Sequence, residues 1–198
     1  MSEELSPSAR RLGAAVRAFF AWAPPEPAQD ALAALVRALR EQPDGDAVRW
    51  VRPEGFHVTL RFLGNVPTGE VPALAKSVER ALSGSARFRV TLGAPRVFPS
   101  ARRPRVVVLA VEPEPALAAL AERVEAGVVA AGLPPEPRRF RAHLTLGRVR
   151  GSRVPALDAA RPAGGELDVD EVTLFRSDLD RDGSHYTPLA QLPLTSSH

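Results

Sequence analysis

Apolar residues along this chain switch between two periods, and the switches mark its elements. Residues 15–22, "AVRAFFAW", read as a strand. In the following "PPEPAQDALAALVRALREQ", Leu32, Leu35, Val36 and Leu39 fall at i, i+3, i+4 and i+7, which predicts an amphipathic helix ended by "PDGD". The stretch "AVRWVRPEGFHVTLRFLG" then predicts extended structure through His57. A second helix is expected over 69–82, with Val71, Leu74, Val78 and Leu82 as its apolar stripe. "ARFRVTLGA" alternates at period two and predicts another strand.

The same order then returns. "RVVVLAVE" (105–112) is a predicted strand, and "PEPALAALAERVEAGVVAAG" a helix with Leu117, Leu120, Ala121 and Val124 on one face. "LPPEP" breaks it, and "RRFRAHLTLGRVR" is a predicted strand carrying His143. Strand, helix and histidine strand thus occur twice, the mark of an internal duplication with diverged sequence. The Pro/Ala/Gly-rich "GSRVPALDAARPAGGE" predicts a mobile loop, and "LDVDEVTLFRSDL" and "HYTPLAQLPL" predict two closing strands. The expected fold is α+β, with two pseudo-twofold-related lobes. Each lobe is expected to be a mostly antiparallel sheet backed by helices. Residues 1–198 are expected to form one domain, with 1–12 a flexible N-terminus.

Composition narrows the function. An apolar content of 44% with 25% charged residues is that of a globular chain, and no run is long enough for a membrane helix. The early acidic residues, and the interruption of the first apolar run by Arg17, argue against a signal peptide. Without cysteine there is neither a disulfide nor a thiolate metal site, and the cytoplasm is the expected compartment. The net charge of +3 is modest, and Lys76 is the only lysine among the basic residues. Arginines cluster at Arg102, Arg103 and Arg105, at Arg138, Arg139 and Arg141, and at Arg148, Arg150 and Arg153. Such clusters are by default solvated faces, but the last two flank His143 and are better placed to meet phosphate.

The candidate chemistry lies in two tetrapeptides, "HVTL" from His57 and "HLTL" from His143. In a strand, residues i and i+2 share a face. The imidazole and the hydroxyl of Thr59 or Thr145 therefore point to one front, with Val58 or Leu144 and the motif leucine turned to the core. Arg61 extends the first front. Gly147 takes the matching place in the second, with Arg148 just beyond. Two imidazoles on equivalent strands suit acid–base catalysis near neutral pH, one accepting a proton while the other donates. The threonines and arginines offer donors to an anion between them, and a phosphodiester fits. His185 also precedes a threonine by two, but Pro188 replaces the leucine, so a surface role is expected; terminal His198 is expected to be uninvolved. No His-x-x-x-His or zinc-like carboxylate spacing stands beside either motif, so neither a metal nor another cofactor is expected. Trp50, Phe56 and Phe140 are candidates to stack on a base, with core packing the commoner use.

With these motifs, "RAFFAW", "WVRPEGFHVTLRFLG", "VFPSARRPRVVVLAV" and "YTPLAQLPL", the sequence resembles the two-histidine phosphoesterases, in particular RNA 2′,3′-cyclic phosphodiesterases, also called 2′-5′ RNA ligase-like proteins. The resemblance spans nearly the whole chain and implies an active site in the cleft between the two lobes, and metal-independent opening of an RNA terminal 2′,3′-cyclic phosphate to a 2′-phosphate. It implies His57 as proton donor to the departing 3′ oxygen and His143 as the base that activates water. Thr59 and Thr145 would hold non-bridging oxygens, with Arg148 and then Arg61 as further phosphate contacts. Pseudo-symmetry alone does not tell acid from base. Ala142 departs from the proline often found before the second histidine in such proteins. Ligation through a 2′-5′ linkage, opening of a small nucleotide cyclic phosphate, and a non-catalytic RNA-end binding module are the alternatives. RNA ends bearing the cyclic phosphate are the expected partner, with no membrane association and a monomeric state.

Overall fold

The computed structural model describes residues 14–100, 102–157, 165–179 and 183–195. The order is β1 (Ala15–Trp22), α1 (Glu26–Arg40), β2 (Val48–Trp50), β3 (Val58–Pro67), α2 (Val71–Leu82), β4 (Phe88–Ser100) and β5 (Arg103–Glu112), then α3 (Glu114–Ala130), β6 (His143–Val149), β7 (Leu167–Val169), β8 (Glu171–Leu179) and β9 (Ser184–Pro193). The strands form two sheets with orders β3-β1-β8-β9 and β2-β6-β5-β4-β7, and their pairings are antiparallel. The expected α+β class holds. In each sheet the strand that begins at or just after the motif histidine lies beside the strand that opens its unit, β3 on β1 and β6 on β5. The third positions match as well, β8 beyond β1 and β4 beyond β5.

The helices start and stop for local reasons. Proline stands in the first turn of each, where a missing N–H costs nothing. In α1, Glu26 in the first turn and Arg37 and Arg40 in the last complement the helix dipole. The predicted stripe Leu32, Leu35, Val36 and Leu39 is buried, as are Leu117, Leu120, Ala121 and Val124 of α3. Helices α2 and α3 meet at Gly127, where a Cβ would lie 2.6 Å from the Val78 Cα. The Ser77 hydroxyl donates to the Gly127 carbonyl at 2.8 Å, satisfying a buried polar group at the crossing. Residues from both sheets and all three helices join one continuous apolar core, in which Phe20, Trp22, Val58, Leu109, Leu144 and Leu146 are fully enclosed.

Three expectations change. The extended stretch expected through His57 is divided by a short turn at Pro53–Gly55, with β2 before it pairing to β6 in one sheet and β3 after it to β1 in the other. "LDVDEVTLFRSDL" is not one strand: it divides at Asp170, with β7 pairing to β4 in one sheet and β8 to β1 and β9 in the other. A continuous apolar pattern here serves two sheets, because the chain crosses between them without leaving the core. The strand expected across 138–150 begins only at His143, so Arg138–Ala142 form the approach to it rather than part of the sheet. Residues 1–12, the centre of the Pro/Ala/Gly-rich connection and His198 lie outside the described residues.

Candidate active site

Each tetrapeptide ends in the same backbone irregularity. Phe20 faces Arg61 and Ala21 faces Thr59, so Leu60 is an extra residue without a partner on β1. Val107 faces Gly147 and Val108 faces Thr145, leaving Leu146 extra opposite β5. Both motif leucines are therefore β-bulges. A bulge breaks the alternation, so the residue after it turns to the same side as the bulged one. Leu60 and Arg61 are both buried, as are Leu146 and Gly147.

This corrects the placement of Arg61. Its guanidinium does not extend the catalytic front. It forms an ion pair with Glu125 of α3, another with Glu136 at 3.3 Å, and donates to the Pro134 carbonyl. With 8% of its surface exposed, Arg61 ties β3 to α3 and the segment after it. Gly147 occupies the same step of β6 and likewise turns back. A Cβ there would lie 2.5 Å from Val48 Cγ1 and 3.1 Å from the Arg49 carbonyl, so glycine is what lets β2 pair with β6. The bulge has the opposite effect one residue on. Strict alternation would send Arg148 to the core, whereas the extra residue returns it to the front, where it is exposed.

The histidines are held alike. His57 Nδ1 lies 2.8 Å from the Gly55 carbonyl, and His143 Nδ1 lies 2.8 Å from the Arg141 carbonyl. A carbonyl oxygen only accepts, so Nδ1–H donates in both, and Nε2 is left as the nitrogen available for acid–base chemistry. A short turn at Pro53–Gly55 supplies the first carbonyl. Thr59 Oγ1 stands 3.1 Å from His57 Nε2, where the hydroxyl donates to the neutral imidazole. The burial of Val58 and Leu144 behind the histidines follows the predicted alternation.

Their surroundings differ. The His57 ring packs against Phe19 with centroids 4.8 Å apart and meets the edge of Tyr186 at 5.0 Å. His143 stacks nearly parallel to Phe98 at 6.0 Å. Burial pushes the His57 imidazole down from the usual 6.5 to about 4; its bond to Gly55 opposes this, and the charges of His143 and Arg148 add to it. The charges of His143 and Arg148 thus reach His57 from the other sheet.

Phe19, Phe98 and Tyr186 had no assigned role in the sequence. Tyr186, the chain's single tyrosine, lies within "YTPLAQLPL", the one signal that could have drawn attention to it. The proposed base-stacking residues lie elsewhere: Phe56 is 1% exposed, Phe140 packs on the core, and the Trp50 indole donates to the Gly45 carbonyl at 2.9 Å. His185 is exposed on β9. Among the described residues, no group of three or more His, Cys, Asp or Glu side chains is gathered as a metal site would need. No helix among them is long and apolar enough to cross a membrane.

Two lobes, each presenting a histidine and a threonine at equivalent strand positions, define a two-histidine phosphoesterase. Comparison with known proteins agrees. The profile of the family described as LigT like Phosphoesterase matches twice, over residues 23–108 and 109–186, once around each histidine. An RNA 2′,3′-cyclic phosphodiesterase of Methanothermobacter thermautotrophicus is 34% identical, covering 88% of this chain and 96% of that protein. One of Thermus thermophilus is 33% identical, covering 92% of each. The crystal structure of Escherichia coli LigT complexed with 3′-AMP superposes with a TM-score of 0.76 at 28% identity, over 92% of this chain and all of that one. The chain belongs to the LigT-like phosphoesterase family and is an enzyme.

Proposed function

We propose that this enzyme opens the 2′,3′-cyclic phosphate at an RNA 3′ end to leave a 2′-phosphate, without a metal. The observation that carries the reading is the paired Nε2 atoms, each fixed by an Nδ1–H bond to the carbonyl two residues earlier. His143 Nε2 takes a proton from water as the water oxygen bonds to phosphorus. The P–O3′ bond breaks, and His57 Nε2–H gives its proton to the departing oxygen. Thr59, Thr145 and Arg148 donate to the non-bridging oxygens, whose charge grows in the transition state. Protein relatives of similar length, named RNA 2′,3′-cyclic phosphodiesterases, support the substrate class. The protein acts in the cytoplasm as a monomer.

His57 as acid has a definite requirement. With a pKa of about 4 in the free enzyme, only about one molecule in a thousand carries the proton at pH 7. The phosphate anion supplies the remedy: it stabilises the imidazolium and withdraws Thr59 from Nε2 by taking its hydroxyl bond. Substrate binding thus charges its own acid.

The test is incubation with a cyclic-phosphate-terminated oligoribonucleotide in the presence of a chelator, with 2′- and 3′-phosphate products resolved. A 2′-phosphate product supports the reading. Loss of turnover in chelator overturns the metal-free mechanism, and binding without turnover overturns the enzymatic one.

A further inference from the structure

Strand β2 pairs with β6 so that Arg49 stands directly opposite Arg148. Directly opposed residues of an antiparallel pair project to the same face, so Arg49 shares the front with Arg148, Thr145 and His143. Both arginines are exposed. Like charges placed opposite each other destabilise a sheet, and β2 is an edge strand where either sign would be tolerated. Some surface arginines of this chain are paired with acids, Arg89 with Glu166 and Asp168, Arg138 with Glu136, Arg153 with Asp44, and Arg176 with Asp178; others, Arg40 and Arg150 among them, have no acidic partner among the described residues. Among the described residues, neither Arg49 nor Arg148 has an acidic partner.

Two further features give the pair a direction. A Cβ placed on Gly183 would lie 3.3 Å from Arg49 Nη2, so the guanidinium reaches toward the start of β9, the strand bearing Tyr186. Along the outer edge of β2 runs an open groove of about 470 Å³. Arg40, Arg49 and Arg150 line it against a single carboxylate, Asp46, with the fixed Trp50 ring as one wall. Arg49 belongs both to the catalytic face and to this groove.

We propose that Arg49 binds the internucleotide phosphate preceding the cyclic phosphate, and that the RNA strand leaves the site over the β2 edge, past Arg150 and Arg40. This rests on the proposed cyclic phosphodiesterase activity and adds to it a strand-binding track, which makes oligonucleotides the preferred substrates. Arg148 holds the reacting phosphate, and Arg49 the next one. Neighbouring phosphates repel each other as neighbouring arginines do, so two opposed cations on adjacent strands are matched to two successive anions.

Kinetics on two substrates decide it: a mononucleoside 2′,3′-cyclic phosphate, which has no internucleotide phosphate, and a short oligoribonucleotide ending in the same group. The wild type is expected to turn over both and to favour the oligonucleotide. In Arg49→Ala, the ratio of kcat/KM for oligonucleotide over mononucleotide is expected to fall about tenfold, chiefly through KM. Its oligonucleotide salt dependence should lose about 0.7 of a unit in slope, one single-strand phosphate contact. Arg40→Ala and Arg150→Ala should move the ratio the same way by less. An unchanged ratio in Arg49→Ala, with or without an equal loss on both substrates, overturns the proposal. Failure of the wild type on both substrates instead removes the activity on which it rests. Melting temperatures separate binding from folding: removing one of two opposed like charges should leave Tm unchanged or raise it, and a marked fall overturns the track by giving Arg49 a structural role.

Discussion

Strands β3 and β6 carry the same tetrapeptide pattern, the same bulge and the same imidazole anchor, yet they make unequal halves of a site. On β3, the residue after the bulge is Arg61, sunk behind the sheet into ion pairs with Glu125 and Glu136. On β6 it is Gly147, whose missing side chain admits a further strand. The first half is therefore locked to a helix, with its histidine enclosed by Phe19 and Tyr186. The second half gains β2, and with it an arginine pair on the catalytic front. Duplication supplied two equivalent frames. What packs around each decided the aromatic surroundings of its imidazole and which side carries the arginine pair.

The largest effect should come from removing either reacting nitrogen. His57→Ala and His143→Ala should each lower kcat by about 10²–10⁴-fold with folding preserved by circular dichroism. A variant with near-normal turnover would take that histidine out of the mechanism and break the equivalence of the halves. Next is the lock behind β3. Arg61→Met leaves Glu125 without its cation and Glu136 with only the exposed Arg138, and should cost about 2–4 kcal/mol in denaturant unfolding, allowing for the partial exposure of both carboxylates. If Arg61 instead contacted phosphate, KM would rise with stability unchanged.

The burial of His57 should appear as pH-dependent stability. Its folded pKa of about 4 lies below the ordinary 6.5, so the unfolded chain binds more protons between those values. Stability is full above pH 6.5 and falls as the pH drops toward 4, by about 2–3 kcal/mol for this group. Unfolding of the wild type and His57→Gln across that window should differ by this slope, and parallel curves would place His57 in a solvated setting. In a nuclear magnetic resonance titration, inorganic phosphate should raise the His57 pKa by at least about one unit. The smallest effect belongs to the second half. Gly147→Ala should cost about 1–3 kcal/mol by pushing β2 from β6. It should reduce turnover of an oligonucleotide more than that of a mononucleotide, as the displaced Arg49 would require.

Much was legible in the sequence because its signals are local. The helix stripes of α1 and α3 are buried where the period places them, and Val58 and Leu144 fill the core behind their histidines. The repeated strand, helix and histidine-strand order announced the duplication, and each histidine lies in its own match to the family profile. Arg61 and the split at Asp170 were not legible. Period-two reasoning holds only while every residue has a partner, and Leu60 has none. Asp170 lies in a stretch whose pattern is the same whether one sheet or two receives it.

By itself, the sequence determined the elements, the duplication and the pairing of each histidine with a threonine on one face, since periodicity and i, i+2 geometry need no knowledge of distant chain. Only the tertiary structure decided which arginine faces the substrate. A bulge is a relation between two strands, and the residues that register one against the other lie dozens of positions apart. The same one-residue slip withdrew Arg61 and presented Arg148, and the pairing of β2 then set Arg49 beside it.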